Sequence, residues 1–235
     1  MELTTKLAVH IEPRITQEDS LVLGLLLKKI IRPQMIAVEV GSWLGNGSTK
    51  AIISEIKKVN GSLYCVDTWK GNQSVQWHLD LCREYNPFET FLHNVKQAGG
   101  EDIVKPLVMK SEEAAPIFKE GACDFVFIDA EHTFDAVASD IDMWKSKVRP
   151  GGILCGHDCE GSFSDFDSNL INGNLDKDFV ELNGGQFAGV HPGSVKAVEL
   201  AFGGKVTLWA KQDLCEYGLS GRSTIWHIVM PKEES

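Results

Sequence analysis

The sequence predicts an α/β fold, a mainly parallel sheet covered by helices on both faces. Three observations carry that prediction. Short apolar runs alternate with stretches of helical periodicity along most of the chain, which is the order strand, crossover helix, strand. Almost every run ends on a polar or acidic residue. The last two runs have no helix between them long enough for a crossover, so they should pair antiparallel.

The elements follow in order. Leu21 to Leu27 is apolar and is followed at once by Lys28-Lys29. A membrane-spanning helix needs about 20 apolar residues, so this run reads as a core helix. Its stripe of Leu21, Leu23, Leu26, Leu27 and Ile30 makes residues 1–34 a helical cap that covers the sheet, closes a site or pairs with a second copy. Ile36 to Val40 is the first strand, and a Gly-rich turn leads into a helix over Thr49 to Lys58, with Ile52, Ile53 and Ile56 on one face. Ser62 to Val66 is a strand ending at Asp67, and Phe88 to Ala98 a helix. Ile103 to Met109 is the third strand, and Ser111 caps a short helix running to Phe118. Asp124 to Ile128 is the fourth strand, and Phe134, Val137, Ile141 and Trp144 recur at helical spacing. Pro150-Gly151-Gly152 should break that helix, with the fifth strand starting at Ile153. Glu160 to Gly189 is polar and reads as a long loop rather than a sheet element, so that 159–193 forms a lid or insertion. Ser194 to Phe202 is a helix, and Lys205 to Trp209 and Ser223 to Met230 are the closing strands.

Composition bounds the function. The 235 residues are 43% hydrophobic and 24% charged, with no repeat or linker, so 1–235 reads as one globular domain. A net charge of −10 and basic residues only in pairs exclude a general nucleic-acid or anionic-membrane surface. The start of the chain carries Glu2, Lys6, Glu12 and Arg14, not a signal peptide, which predicts a cytoplasmic protein. Six cysteines fit that compartment as free thiols, several of them in apolar runs. Cys155 and Cys159 lack the second close pair that a structural zinc site needs.

In open α/β sheets ligands bind beyond the carboxyl ends of the strands. Those ends carry Glu39 with the turn Gly41 to Ser48, Asp67-Thr68-Trp69, Lys110-Ser111, Asp129-Ala130-Glu131-His132 and His157-Asp158. A dinucleotide fingerprint begun at Gly41 requires glycine at 43 and 46, where Trp43 and Asn46 stand, which disfavours an NAD-dependent oxidoreductase. What remains is a glycine turn that lets a bulky ligand approach the backbone. Asp67 lies 20 residues beyond Gly47, at a strand end where a carboxylate can accept hydrogen bonds from ribose hydroxyls. Either feature alone suits an ordinary turn or cap, but together they point to a ribose-bearing ligand.

Here the chain resembles the class I S-adenosylmethionine-dependent methyltransferases. The resemblance rests on residues 38–45, 65–69, 124–132 and 150–158 in register, and His191-Pro192-Gly193 with the final strand from Ser223 looks like the end of the small-molecule O-methyltransferase-like branch. It implies a Rossmann-like, doubly wound, seven-stranded sheet with an antiparallel last strand, and S-adenosylmethionine as cofactor. The implied cofactor residues are Glu39, Gly41, Ser42, Trp43, Gly45 and Ser48, then Asp67 on the ribose with Thr68 and Trp69, Ser111 by the adenine, and Asp129 facing the transfer region. The turn Gly45 to Ser48 is one residue longer than in many members.

A sulfonium methyl is already activated, so the protein must align an acceptor, exclude water and, for an oxygen acid, remove a proton. The candidate bases are His132, His157 and Asp158. A helix amino terminus at His132 should keep that imidazole neutral. Metal-dependent relatives hold a divalent cation on one carboxylate after the fourth strand and two after the fifth. Here only Asp129 and Asp158 match and His157 replaces the third, which weakens the case for magnesium, so a divalent metal is possible but not favoured and a softer metal or none stays open. Trp69, Trp77, His78 and Tyr85 either wall the pocket or, for Trp77 and Tyr85 at helical spacing, are buried core. The expected activity is methyl transfer to a small molecule, at oxygen, with a homo-oligomer as one arrangement open to the chain. The rival reading is a catalytically silent cofactor-binding scaffold.

Overall fold

The structure is a computed structural model that describes residues 6–72 and 75–232. The first five residues of the expected amino-terminal cap lie outside these. Seven strands form one sheet: β1 Ile36–Val40, β2 Ser62–Asp67, β3 Val104–Val108, β4 Cys123–Ile128, β5 Val148–Gly156, β6 Thr207–Trp209 and β7 Ser223–Val229. Their order is β3-β2-β1-β4-β5-β7-β6, with β7 antiparallel to its neighbours. The predicted fold class is therefore the observed one. No described helix is long and apolar enough to cross a membrane. The contacts divide the chain into two compact units, Met1–Ala114 and Ala115–Ser235.

In the first unit, α1 (Gln17–Ile30) starts at a reciprocal capping box. The Asp19 N–H donates to Thr16 Oγ1 at 3.1 Å and the Thr16 N–H donates to Asp19 Oδ2 at 2.9 Å. Glu18 and Asp19 in the first turn and Lys28 and Lys29 in the last oppose the helix dipole. Ile31 is extended ahead of Arg32-Pro33, which ends the helix. Val22, Leu23, Leu26 and Leu27 are buried, and α1 packs on α2 (Ser48–Ile56), so of the three roles open to the cap the structure shows packing on α2. Parallel pairing runs Ile36↔Ser62 to Val40↔Val66 and Leu63↔Val104 to Asp67↔Val108. A helix that the sequence reading left as an undefined segment, α3 (Gln76–Glu84), precedes α4 (Pro87–Gln97), whose Asn86 cap accepts the Glu89 N–H at 3.1 Å. α5 (Ser111–Ala114) closes the unit. The helix expected to reach Phe118 tightens there into a 3₁₀ turn, Ala115–Ile117, at Pro116, which lacks an amide donor.

In the second unit every residue of β4 is buried, and α6 (Phe134–Lys145) leads to β5. The Pro150-Gly151-Gly152 break falls inside β5, not between helix and strand. The register slips between Cys123↔Val148 and Phe125↔Ile153, and Gly151 takes φ +74°. Extra residues in one strand with a left-handed glycine make a bulge, so the turn signal was real but its place in the strand was not legible locally. The 160–189 segment also holds more order than a loop. Asp167 accepts the N–H groups of Asn169 and Leu170 to start α7 (Ser168–Asn172), and a two-residue ladder pairs Val180↔Val190 and Glu181↔Gly189. α8 (Pro192–Phe202) follows, begun by Pro192.

Asp124 is fully buried and bonded by Arg149 Nε at 2.5 Å. Arg149→Leu removes the guanidinium from that buried carboxylate, and urea unfolding should show a loss of about 3 kcal/mol. The six thiols are free. Burial pushes Cys65, Cys155 and Cys159 well up and Cys123 up to about 12, while Cys215 is exposed. Ellman titration of the native protein should therefore count Cys215 first, half-buried Cys82 more slowly, and the other four only on unfolding.

Candidate active site

The first unit brings together the predicted cofactor residues of β1, β2 and their turns. Glu39 is fully buried on β1, and its Oε2 accepts the Thr49 hydroxyl at 2.6 Å. Gly41 takes φ +89° and donates its N–H to the Val66 carbonyl, which ties the turn to β2. Trp43 and Trp69, one in each turn, both adopt the left-handed region, at φ +44° and +51°. For bulky residues that conformation costs on the order of 1–3 kcal/mol. One carboxylate holds both: Asp67 Oδ2 accepts the Trp43 N–H at 2.8 Å and Oδ1 accepts the Trp69 N–H at 2.7 Å. The Trp69 indole closes the knot by donating to the Trp43 carbonyl at 2.7 Å. Burial pushes the Asp67 carboxyl upward, against the pull of those backbone N–H groups. The residue expected on a ribose thus also ties two turns together, a role the sequence did not disclose.

Around this knot Ser42, Ser48 and Trp69 are buried, and Thr68 Oγ1 accepts the Lys70 N–H. Ser111 is the first residue of α5 rather than the residue before it, and at that helix start Glu113 Oε2 accepts the Lys110 N–H at 3.0 Å. The aromatic wall is partly real. The Trp43 ring lies 4.5 Å from that of His78, tilted by 32°, and meets Trp77 edge-on, and Arg14 lies 4.2 Å over Trp77. Trp77 is 38% exposed, so the alternative that it is core does not hold. The buried Trp43 indole N–H has no acceptor among the described residues.

The second unit collects Asp129 and His132 after β4 and His157 and Asp158 after β5, as the sequence reading expected. His132 Nε2 lies 2.9 Å from Asp158 Oδ2 and 3.8 Å from Asp129 Oδ1. His157 Nδ1 lies 3.0 Å from Asp158 Oδ1 and 3.6 Å from Asp129 Oδ1. Asp158 holds φ +57°, a strained backbone at the centre of the group. Three residues that sequence reasoning missed complete it. Asp178 Oδ1 meets His132 Nδ1 at 2.9 Å, and Glu160 accepts both the His191 ring at 2.5 Å and the His191 N–H at 3.1 Å. His191 had a signal, since it precedes Pro-Gly at a helix start, and Glu160 lies two residues past Asp158. Asp178 had none in its polar segment.

Charge bears on the state of the imidazoles. Burial acts to lower His132 and His157, but the surrounding carboxylates, Asp158 foremost, carry both well above the ordinary histidine value. Asp158 is held well below its usual value despite burial, because His157 and His132 face it, and Asp129 is lowered too. The facing carboxylates thus push against the neutral His132 that a helix end predicts. α6 begins only at Phe134, and three carboxylates outweigh a helix end.

Residues 38–159 match the family described as Methyltransferase domain. The chain belongs to that family. Fold and family together make it a class I S-adenosylmethionine-dependent methyltransferase. Solved structures with the same fold include the O-methyltransferase TomG of Streptomyces achromogenes, determined in complex with SAM, at 15% identity and TM-score 0.57 over 92% of this chain and 81% of that one. An O-methyltransferase from Bacillus cereus in complex with SAH matches at 16% identity and TM-score 0.53, over 93% and 84%. A SAM-dependent O-methyltransferase from Thermotoga maritima matches at 10% and 0.59, over 96% and 69%.

The magnesium set implied by the resemblance does not fit this methyltransferase. Its third place is an imidazole, the His157 ring between Asp129 and Asp158, and magnesium takes oxygen ligands. The Asp67 knot yields a direct test. Asp67→Ala leaves two amide N–H groups without their acceptor, so calorimetry with S-adenosylhomocysteine should show at least about tenfold weaker binding, with a stability loss of about 1–3 kcal/mol.

Proposed function

We propose that this methyltransferase transfers a methyl group to a hydroxyl oxygen of a small molecule. S-adenosylmethionine, its cofactor, supplies a methyl on a positively charged sulfur. The observation that carries the oxygen assignment is the buried imidazole and carboxylate cluster after β4 and β5. An alcohol or phenol must lose a proton as its oxygen is methylated, and a desolvated base contributes about 10²–10⁴-fold to such a step. His132, His157 and Asp158 are the groups placed to receive that proton, an imidazole doing so only from its neutral form. Asp129 beside them lowers the cost of the imidazolium that results.

The first unit binds the donor. Glu39, Gly41, Ser42, Trp43, Gly45 and Ser48 form the turn against which its amino-acid part lies, Asp67, Thr68 and Trp69 hold the ribose, and Ser111 lies by the adenine. Asp129 faces the reacting methyl. Carboxylates at strand ends suit a cationic sulfonium and its hydroxyls, and six free thiols suit a cytoplasmic location.

The test is incubation with an isotopically labelled methyl donor and a metabolite extract, read by mass spectrometry. A labelled O-methyl product is expected. His157→Gln should lower turnover by about 10²-fold or more while donor affinity changes less than about threefold. Transfer to nitrogen or sulfur, or unchanged turnover in both His157→Gln and His132→Gln, would sink the oxygen assignment.

A further inference from the structure

Proton transfer from one hydroxyl needs one base, yet the second unit gathers far more. His132, His157 and His191 are interleaved with Asp129, Asp158, Glu160 and Asp178. Four negative charges face at most three positive ones, in a largely desolvated place. Uncompensated buried charge is costly, and a dication is an economical remedy.

Two triples in the cluster, His132 with Asp158 and His191 and Asp129 with His157 and Asp158, bring one ligand atom from each residue close together, and only the first joins two imidazoles to one carboxylate. His132, Asp158 and His191 each offer one ligand atom, and the three atoms lie within 4.8 Å of one another. Bonds of about 2.1 Å to a shared ion would hold such atoms roughly 3–4 Å apart, so the 2.9 Å between His132 Nε2 and Asp158 Oδ2 opens slightly while separations of up to 4.8 Å close. The two rings are 5.0 Å apart because the start of α8 is pressed against residues 132–134. A side chain at Gly193 would stand 2.2 Å from the His132 carbonyl oxygen. Each histidine also has its outer partner in place. Asp178 holds His132 Nδ1, which directs Nε2 at Asp158, and Glu160 holds His191 through Nδ1 and the backbone N–H. A metal-bound imidazole ordinarily has its second ring nitrogen held by a carboxylate in this way.

We infer that His132, Asp158 and His191 form a binding site for a divalent transition-metal ion, with Asp178 and Glu160 as the residues that orient its two histidines. Two imidazoles and one carboxylate are a donor set for zinc, iron, cobalt or nickel and not for magnesium. Three protein ligands are one fewer than zinc takes, the number found where a water or ligand completes the shell. The site shares only Asp158 with the triple that the resemblance marks. It leaves His157 outside the ligand set.

The probe is zinc itself, added to chelator-treated full-length protein and followed by calorimetry and metal analysis. The expected result is one zinc per chain, bound at least roughly 100-fold more tightly than magnesium. Cobalt(II) in its place should give visible d–d absorption. His191→Gln should abolish that absorption and weaken zinc by at least about tenfold, and Asp178→Asn should weaken it by about 10- to 100-fold. Circular dichroism and S-adenosylhomocysteine binding report whether each variant is folded. No zinc uptake, a preference for magnesium, or zinc binding indifferent to folded His191→Gln overturns the inference. Failure of the unsubstituted protein to bind S-adenosylhomocysteine would count against the donor assignment alone, since zinc uptake is measured without it.

Discussion

Parallel pairing obliges a chain to cross back over the sheet before laying its next strand, and from that constraint the rest of this structure follows. In the first unit β1, β2 and β3 all run one way, so Glu39, Asp67 and Lys110 emerge at the same ends of their strands. In the second unit β4 and β5 do likewise, and Asp129 and His157 emerge together. Residues far apart in the chain become neighbours because strand direction repeats. The antiparallel β7 joins β5 to the edge strand β6.

Three buried carboxylates show three ways of meeting the cost of desolvation. Asp124, at the start of β4, is answered by the Arg149 guanidinium, a structural solution. Asp67 is answered by backbone N–H groups, and in return it secures two tryptophans in a conformation they would otherwise avoid. Asp158 is answered by imidazoles, groups whose charge can change, and that difference marks it as chemical rather than structural. The net charge of −10 therefore has internal structure: part of it is spread over the surface, and part is gathered and compensated at strand ends.

The segment between β5 and α8 bears on the chemistry more than its composition suggested. Asp178 and Glu160 both come from it, and each holds a histidine that lies outside it or at its edge. Phe179 lies 4.9 Å from the His191 ring, and the Leu175 carbonyl accepts the Phe134 N–H where α6 starts. The segment is thus tied to the cluster by charge, ring packing and backbone at once.

The sequence by itself determined the element order, the parallel character of the sheet, the antiparallel end and the residues at the strand ends. Those are properties of local periodicity and of where apolar runs stop. It also identified Asp129, His132, His157 and Asp158, because each directly follows a strand. Tertiary structure alone decided what depends on distance between remote residues. It placed Pro150-Gly151-Gly152 as a bulge within β5, left Trp77 in solvent, and gave Asp67 its second task. It brought Asp178, Glu160 and His191 to the cluster, and it set carboxylates against the neutral His132 that a helix end predicts. A helix end can be read from neighbouring residues, but three carboxylates from separate turns can only be counted once the chain has folded.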